Sequence, residues 1–179
     1  MTSVDLSTGQ VPADIDTLLI VSPEGLDEKA QYAVDQYLMR GGSVIIAAGN
    51  YGISLDQMAG GLALNEIQGG LGSLLEHYGI KVEKSIVMDP QNEPFPTTVQ
   101  RNVGGMVVQE LQALNYPFFV DVRASGMDKT SAIVSQLNAV TLNWASPVVL
   151  DEAKNGGRQT SVLLKSTDRS WLRTSLDIN

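Results

Sequence analysis

A single histidine, no cysteine and twenty carboxylates limit the chemistry open to this 179-residue chain. Without cysteine there is no thiolate nucleophile, no disulfide and no Cys-ligated metal. His77 stands near the end of a helical stretch, Leu71 to Tyr78, where an imidazole suits the negative end of the helix dipole. A Ser-His-Asp triad would need that histidine to reach a serine marked by its context, and no G-x-S-x-G elbow marks one. Zinc would have one imidazole and otherwise only carboxylates. Asp89, Glu93, Asp121, Asp128, Asp151 and Glu152 are scattered along the chain, and any two could in principle pair in space as glycosidase acids. With twenty acids such pairs arise by chance, so solvated surface is the plainer reading. Gly70-Leu71-Gly72 places Leu75 where a dinucleotide fingerprint requires its third glycine, and no P-loop lysine follows any glycine run. These glycines read as turn positions, and no cofactor is expected.

The elements that would position a site are clearest between Thr17 and Ala48. Leu18-Leu19-Ile20-Val21 is a continuous apolar run of the kind a parallel strand shows when covered on both faces. Ser22-Pro23-Glu24-Gly25 breaks it, and Asp27 is placed to cap a helix with Glu28 in its first turn. Ala30, Ala33, Val34, Tyr37 and Leu38 then repeat at helical spacing, Gly41 supplies a left-handed C′ position, and Ser43–Ala48 resumes a strand. This predicts a right-handed βαβ crossover. In such sheets ligands sit at the carboxyl ends of strands. Ser22 and Glu24 follow the first strand, and Asn50 and Tyr51 follow the second, so these four are the candidate ligand-binding residues for a sugar or peptide.

Beyond Gly49-Asn50-Tyr51-Gly52 lies a glycine-rich stretch, including Gly60-Gly61 and Gly69-Gly70, then the short helix and a strand expected over Ile80–Met88. Asp89 to Pro96 reads as turns. Met106–Leu114 fits helix or strand equally, bounded by Gly104-Gly105 and Asn115-Tyr116-Pro117. Strands are expected at Ala139–Leu142, Pro147–Leu150 and Thr160–Lys165, with Asn155-Gly156-Gly157 as the loop between the last two. Tyr116-Pro117-Phe118-Phe119 suits either an exposed docking surface or, for at least two rings, the core.

Charge narrows the partners. Twelve basic residues against twenty acidic ones give a net charge of −8, which disfavours nucleic acid and anionic lipid alike. Met1–Gln10 is polar, without the basic and apolar regions of a signal peptide. That bare start, with a bare stop at Ser175–Asn179, leads to the expectation of a single α/β domain, residues 1–179, excised from a longer protein.

Several of these segments together resemble a known family. Asp16-Thr17-Leu18-Leu19-Ile20-Val21-Ser22-Pro23 with Val34-Asp35-Gln36-Tyr37-Leu38-Met39-Arg40-Gly41-Gly42 resembles the auxiliary component of gliding-motility-type ABC transport systems. Leu74–Ile80 before Val87-Met88-Asp89-Pro90 agrees in order, as do Tyr116-Pro117, Trp144-Ala145-Ser146-Pro147 and Leu163–Ser166 through Trp171. Asp35-Gln36-Tyr37 with Gly41-Gly42 is the most specific part. The resemblance implies a three-layer flavodoxin-like or class I glutamine-amidotransferase-like parallel sheet, here with a strand-rich C-terminal part. It also implies an extracytoplasmic region of a membrane-anchored parent working beside an ABC permease and ATPase. It carries over no catalytic residues, and the amidotransferase cysteine has no counterpart. The function expected is a non-catalytic auxiliary or binding module. The alternatives are a hydrolase or glycosidase using His77 or the scattered acids, and a small-molecule receptor using the strand ends.

Overall fold

A computed structural model describes residues 1–56 and 61–175. The expected glycine turn at Gly60 and the stop at 176–179 lie outside the described residues. The chain divides into two compact units. The first comprises Met1–Lys84 and Val148–Gln159, and the second comprises Ser85–Pro147 and Thr160–Thr174.

In the first unit the βαβ crossover forms as the residue spacing predicts. Strand β1 (Thr17–Val21) and strand β2 (Ser43–Ala47) pair in parallel, Leu18 against Val44 and Ile20 against Ile46. Helix α1 (Glu28–Met39) starts at Asp27, whose carboxylate accepts a 2.8 Å hydrogen bond from the Ala30 amide. It stops at Gly41, whose φ of 89° is left-handed. The helix buries Ala30, Ala33, Val34 and Tyr37. Val34 and Tyr37 join Val11, Leu18, Ile20 and Leu71 in the core, where each large apolar side chain contributes roughly 1.5–3 kcal/mol.

The wider architecture departs from the flavodoxin-like or amidotransferase-like expectation. The only parallel pair among the described residues is β1 with β2; every other strand pair is antiparallel, in sheets of two strands. The physical sign is the outer face of β1. Leu19 is 45% exposed and Val21 64%, with Ile45 on β2 exposed beside them, so this sheet is covered by a helix on one face only. The apolar run of a doubly covered strand is present, and its second cover is not. Strand β3 (Tyr51–Asp56) and strand β4 (Gly61–Glu66) form a hairpin ladder from Tyr51–Glu66 to Asp56–Gly61. Helix α2 (Gly72–His77) is short, and Leu71 before it is buried.

The strand expected over Ile80–Met88 is two strands. β5 (Ile80–Val82) belongs to the first unit, and β6 (Ile86–Met88) belongs to the second. The polar Glu83-Lys84-Ser85 segment separates them, which an apolar window averages over. Later come β7 (Phe95–Val103), β8 (Met106–Leu114), β9 (Phe119–Arg123), β10 (Ala139–Asn143), β11 (Val148–Leu150), helix α3 (Glu152–Asn155) and β12 (Trp171–Arg173). In the first unit β11 pairs with β5, and α3 is capped by Asp151. In the second unit β12 pairs with β6, β10 with β9, and β7 with β8. Thr160–Lys165 makes a single bridge, Leu164 to Met127, where a strand is expected. Met106–Leu114, open between helix and strand on composition, is a strand.

The core of the second unit has two parts. Val120, Val122, Met127 and Val134 form one. The other is aromatic: Phe119 meets Trp144 edge-on with centroids 4.7 Å apart, and Tyr116 meets both Phe118 and Phe119 at 5.0 Å. Phe118 and Phe119 are buried, so the Tyr116–Phe119 segment serves the core. Burial holds the Tyr116 hydroxyl above its ordinary pKa, against a hydrogen bond from Trp144 that lowers it.

Candidate functional site

The first unit has a cleft at the carboxyl ends of β1 and β2. Ser22 leaves β1 with φ of 49°, and its amide donates to the Ala47 carbonyl at 2.8 Å, extending the parallel ladder by one step. The following loop is pinned by Gly25 donating to the Gln68 carbonyl and Leu26 to the Gly69 carbonyl. The space enclosed, about 280 Å³, is lined by Pro23, Gln31, Asn50, Ile67, Ser73 and the glycines between them. Of the four residues expected to bind ligand, Asn50 lines this cleft, and its amide donates to the Val82 carbonyl at 2.8 Å. Ser22 and Glu24 are exposed on the loop outside that lining. Tyr51 opens β3 opposite Glu66.

His77, the only histidine, is solvent-exposed at the end of α2, where its ring meets Tyr78 edge-on at 5.5 Å. Tyr78 in turn donates its hydroxyl hydrogen to Asp35 at 2.7 Å, which holds the phenol above its ordinary pKa, with burial adding to the effect.

The second unit holds a different kind of site, built on two buried aspartates. Asp89 is fully buried, and each of its oxygens is occupied. One accepts from the Gln91 amide at 2.8 Å and the Thr167 hydroxyl at 2.8 Å, and the other from the Thr167 amide at 2.6 Å. A buried carboxylate so supplied is a scaffold: it ties the chain after β6 to the loop at Thr167. Asp121, on β9, is 5% exposed and only half supplied. Its Oδ2 accepts from Arg123 Nε at 2.6 Å, while its Oδ1 is buried without a hydrogen-bond partner. A buried acceptor left unmade costs about 1–3 kcal/mol, more for a charged group.

Asp121 is also one of the residues that line a cleft of about 230 Å³. Asp121 and Asp168 bring negative charge to it, Arg123 and Lys165 positive charge, and Gln91, Ser125, Ser166 and Thr167 neutral polar groups. Gln91 is fixed by two bonds, its side-chain amide to the Asp121 carbonyl at 2.6 Å and its carbonyl from the Asp121 amide at 3.0 Å. The far wall comes from the Gly126 carbonyl accepting the Lys165 amide at 2.8 Å. A Cβ at Gly126 would run into the Lys165 carbonyl, so only glycine lets the two strands of backbone meet. Among the described residues no cluster of three or more acids or histidines suited to a metal occurs. The lining offers a ligand both acids and cations.

Sequence reasoning counted Asp89 and Asp121 among scattered acids. The missed signal is a lone carboxylate inside an apolar run, Phe118-Phe119-Val120-Asp121-Val122, where burial of the neighbours forces burial of the acid.

In architecture, then, this is a strand-rich module of two small units, each with an open polar cleft. The family model described as ABC-type uncharacterized transport system, auxiliary component, matches residues 1–179, and the chain belongs to that family. It is 23% identical over 171 residues to an uncharacterized protein of Borreliella burgdorferi, a match covering 94% of this chain and 31% of that protein. The chain thus spans about a third of the length of that relative. No solved structure matches. No described helix is long and apolar enough to cross a membrane.

Proposed function

We propose that this chain is a non-catalytic binding module of an ABC-type transport system. It works at the extracytoplasmic face beside the permease and ATPase, as in gliding-motility-type systems. Its cleft over Asp121 holds a small zwitterionic solute. The observation that carries the reading is a polar cleft lined by two acids, Asp121 and Asp168, and two bases, Arg123 and Lys165. A ligand ammonium would pair with these acids, and a ligand carboxylate with Arg123 and Lys165. Membership of an auxiliary transport family supports a binding role over a chemical one.

Thermal denaturation against a panel of amino acids, small peptides and monosaccharides tests it. A zwitterion at 100 times its Kd should stabilise the chain by about 2.7 kcal/mol. Equal silence from every amino acid and peptide at millimolar concentration would defeat the proposal. A second reading keeps the ligand at the strand-end cleft, favoured by Asn50 lining it, with Ser22, Glu24 and Tyr51 on the adjoining chain. Asn50→Ala would then abolish the stabilisation, and Asp121→Asn would leave it unchanged.

A further inference from the structure

Among the described residues, the hairpin β7–β8 packs on the unit only through the base of β7, where Phe95 meets Tyr116 and Phe119. Each strand has nine residues, every residue of β8 is exposed, and Met106, Val107, Leu111 and Val103 carry 72%, 65%, 75% and 54% exposure. A two-stranded hairpin alone is marginal in water. The turn is Gly104-Gly105, with φ of 61° and 85°, the left-handed pair that a primed two-residue turn requires.

Such a turn closes on a hydrogen-bonded pair, here Val103 with Met106, and backbone direction then alternates along each strand. The outward N–H and C=O groups of β8 are those of Val107, Gln109, Leu111 and Ala113. On β7 the outward positions are Pro96, Thr98, Gln100 and Asn102, and Pro96 has no N–H, which blunts that edge. The β8 edge carries neither proline nor lysine, the usual guards against pairing.

We propose that β8 pairs antiparallel with β8 of a second copy of this chain, about a two-fold axis at Gln109, to make a continuous four-stranded sheet. With the axis at Gln109, Val107 faces Leu111 of the second copy, Met106 faces Gln112, and Val108 faces Glu110. Moving the axis to Glu110 would set two carboxylates opposite each other, which is destabilising. Charge agrees as well. The only charged residues of the hairpin are Arg101 and Glu110, which already pair within it at 3.7 Å, so the joined surface is neutral. The −8 charge of each copy opposes association from elsewhere and is screened by salt. The dimer therefore tightens as salt rises, the reverse of a charge-driven contact.

Sedimentation equilibrium of the chain at 50 and 300 mM NaCl tests this, together with amide hydrogen exchange at low and high protein concentration. A reversible dimer is expected, tighter at the higher salt, with the amides of Val107, Gln109, Leu111 and Ala113 protected only in the dimer. Leu111→Lys should weaken it at least tenfold, and Thr98→Lys on the opposite edge should leave it unchanged. A monomer at every concentration overturns the proposal. So does a dimer that survives Leu111→Lys, or one in which those four amides exchange as fast as in the monomer. Binding of the chain to neutral phosphatidylcholine vesicles with burial of the β8 edge would also overturn it. The exchange measurement uses the unaltered chain, so it decides the matter even if a variant fails to fold.

Discussion

The ring of Tyr37 lies where a Cβ on Gly42 would have to be. The tyrosine comes from the last turn of α1, and the glycine is the third residue past the helix. The Gly42 amide donates to the Tyr37 carbonyl at 2.9 Å, and the Tyr37 hydroxyl donates to the Ile15 carbonyl at 2.9 Å. Gly41 turns the chain left-handed, Gly42 makes room, and the ring closes over the turn. The most specific part of the family resemblance is thereby a packing motif. Asp35, on the last turns of α1, has a separate role as acceptor for Tyr78.

Gly42→Ala should therefore destabilise the chain by about 1–3 kcal/mol, because the Tyr37 ring must leave its site or the turn must open. Gly41→Ala should cost about 1–2 kcal/mol for a different reason, the left-handed backbone, since nothing lies near its Cβ. Urea midpoints at constant slope measure both. A Gly42→Ala chain as stable as the parent would show that the ring is not held there.

Tyr78 gives an alkaline signature. Its phenol is held above the ordinary tyrosine value by the hydrogen bond to Asp35, so the folded chain keeps its proton longer than the unfolded one. That stabilisation is complete below the unfolded pKa, about 10, and is lost as pH climbs through the raised folded value. Tyr78→Phe should be less stable at neutral pH and show a shallower alkaline fall in Tm. Identical alkaline limbs would contradict the contact.

Asp128 gives the acid counterpart. The Thr130 hydroxyl and amide hold its carboxyl below the ordinary aspartate value. The resulting stability is present above the unfolded pKa, about 3.9, and is lost as pH falls through the lowered folded value. Asp128→Asn should flatten that part of the acid limb in a Tm titration.

The two buried aspartates should separate by phenotype. Asp89→Asn removes a carboxylate that three donors address, and a loss on the order of 3 kcal/mol is expected. Asp121→Asn keeps a carbonyl for Arg123 and removes one of the two negative charges that line the cleft. Its stability should change little, and zwitterion binding should weaken at least tenfold. Calorimetric titration with parallel thermal melts distinguishes them. An Asp121→Asn chain that binds as before would move the site elsewhere.

What was legible in the sequence follows the range of the forces involved. Asp27, the helical spacing from Ala30 to Leu38, and Gly41 act within a few residues, and the unit from β1 to β2 formed as read. The parallel sheet did not extend, because an apolar run such as Leu18–Val21 states that a strand is apolar on both faces without stating that both are covered. Ile80–Met88 read as one strand because its two halves find partners about 65 residues or more away, β11 and β12. Gly104-Gly105 was visible as a boundary, yet only the hairpin register shows it as a turn between equal strands. Asp121 stands in the apolar run Phe118–Val122, a sign of burial that a count of scattered acids passes over.

The pairing of β5 with β11 sets a timetable for synthesis. At about 5–20 residues per second, the stretch 83–147 occupies the ribosome for roughly 3–13 s after β5 has been made. Through that interval β5 has no strand beside it, and β6 waits longer still for β12. The β1–α1–β2 lobe, whose partners lie within thirty or so residues of each other, has no such delay. A nascent chain therefore carries one finished lobe and two open strand edges until β11 and β12 have been made, and that interval is when it most needs a chaperone.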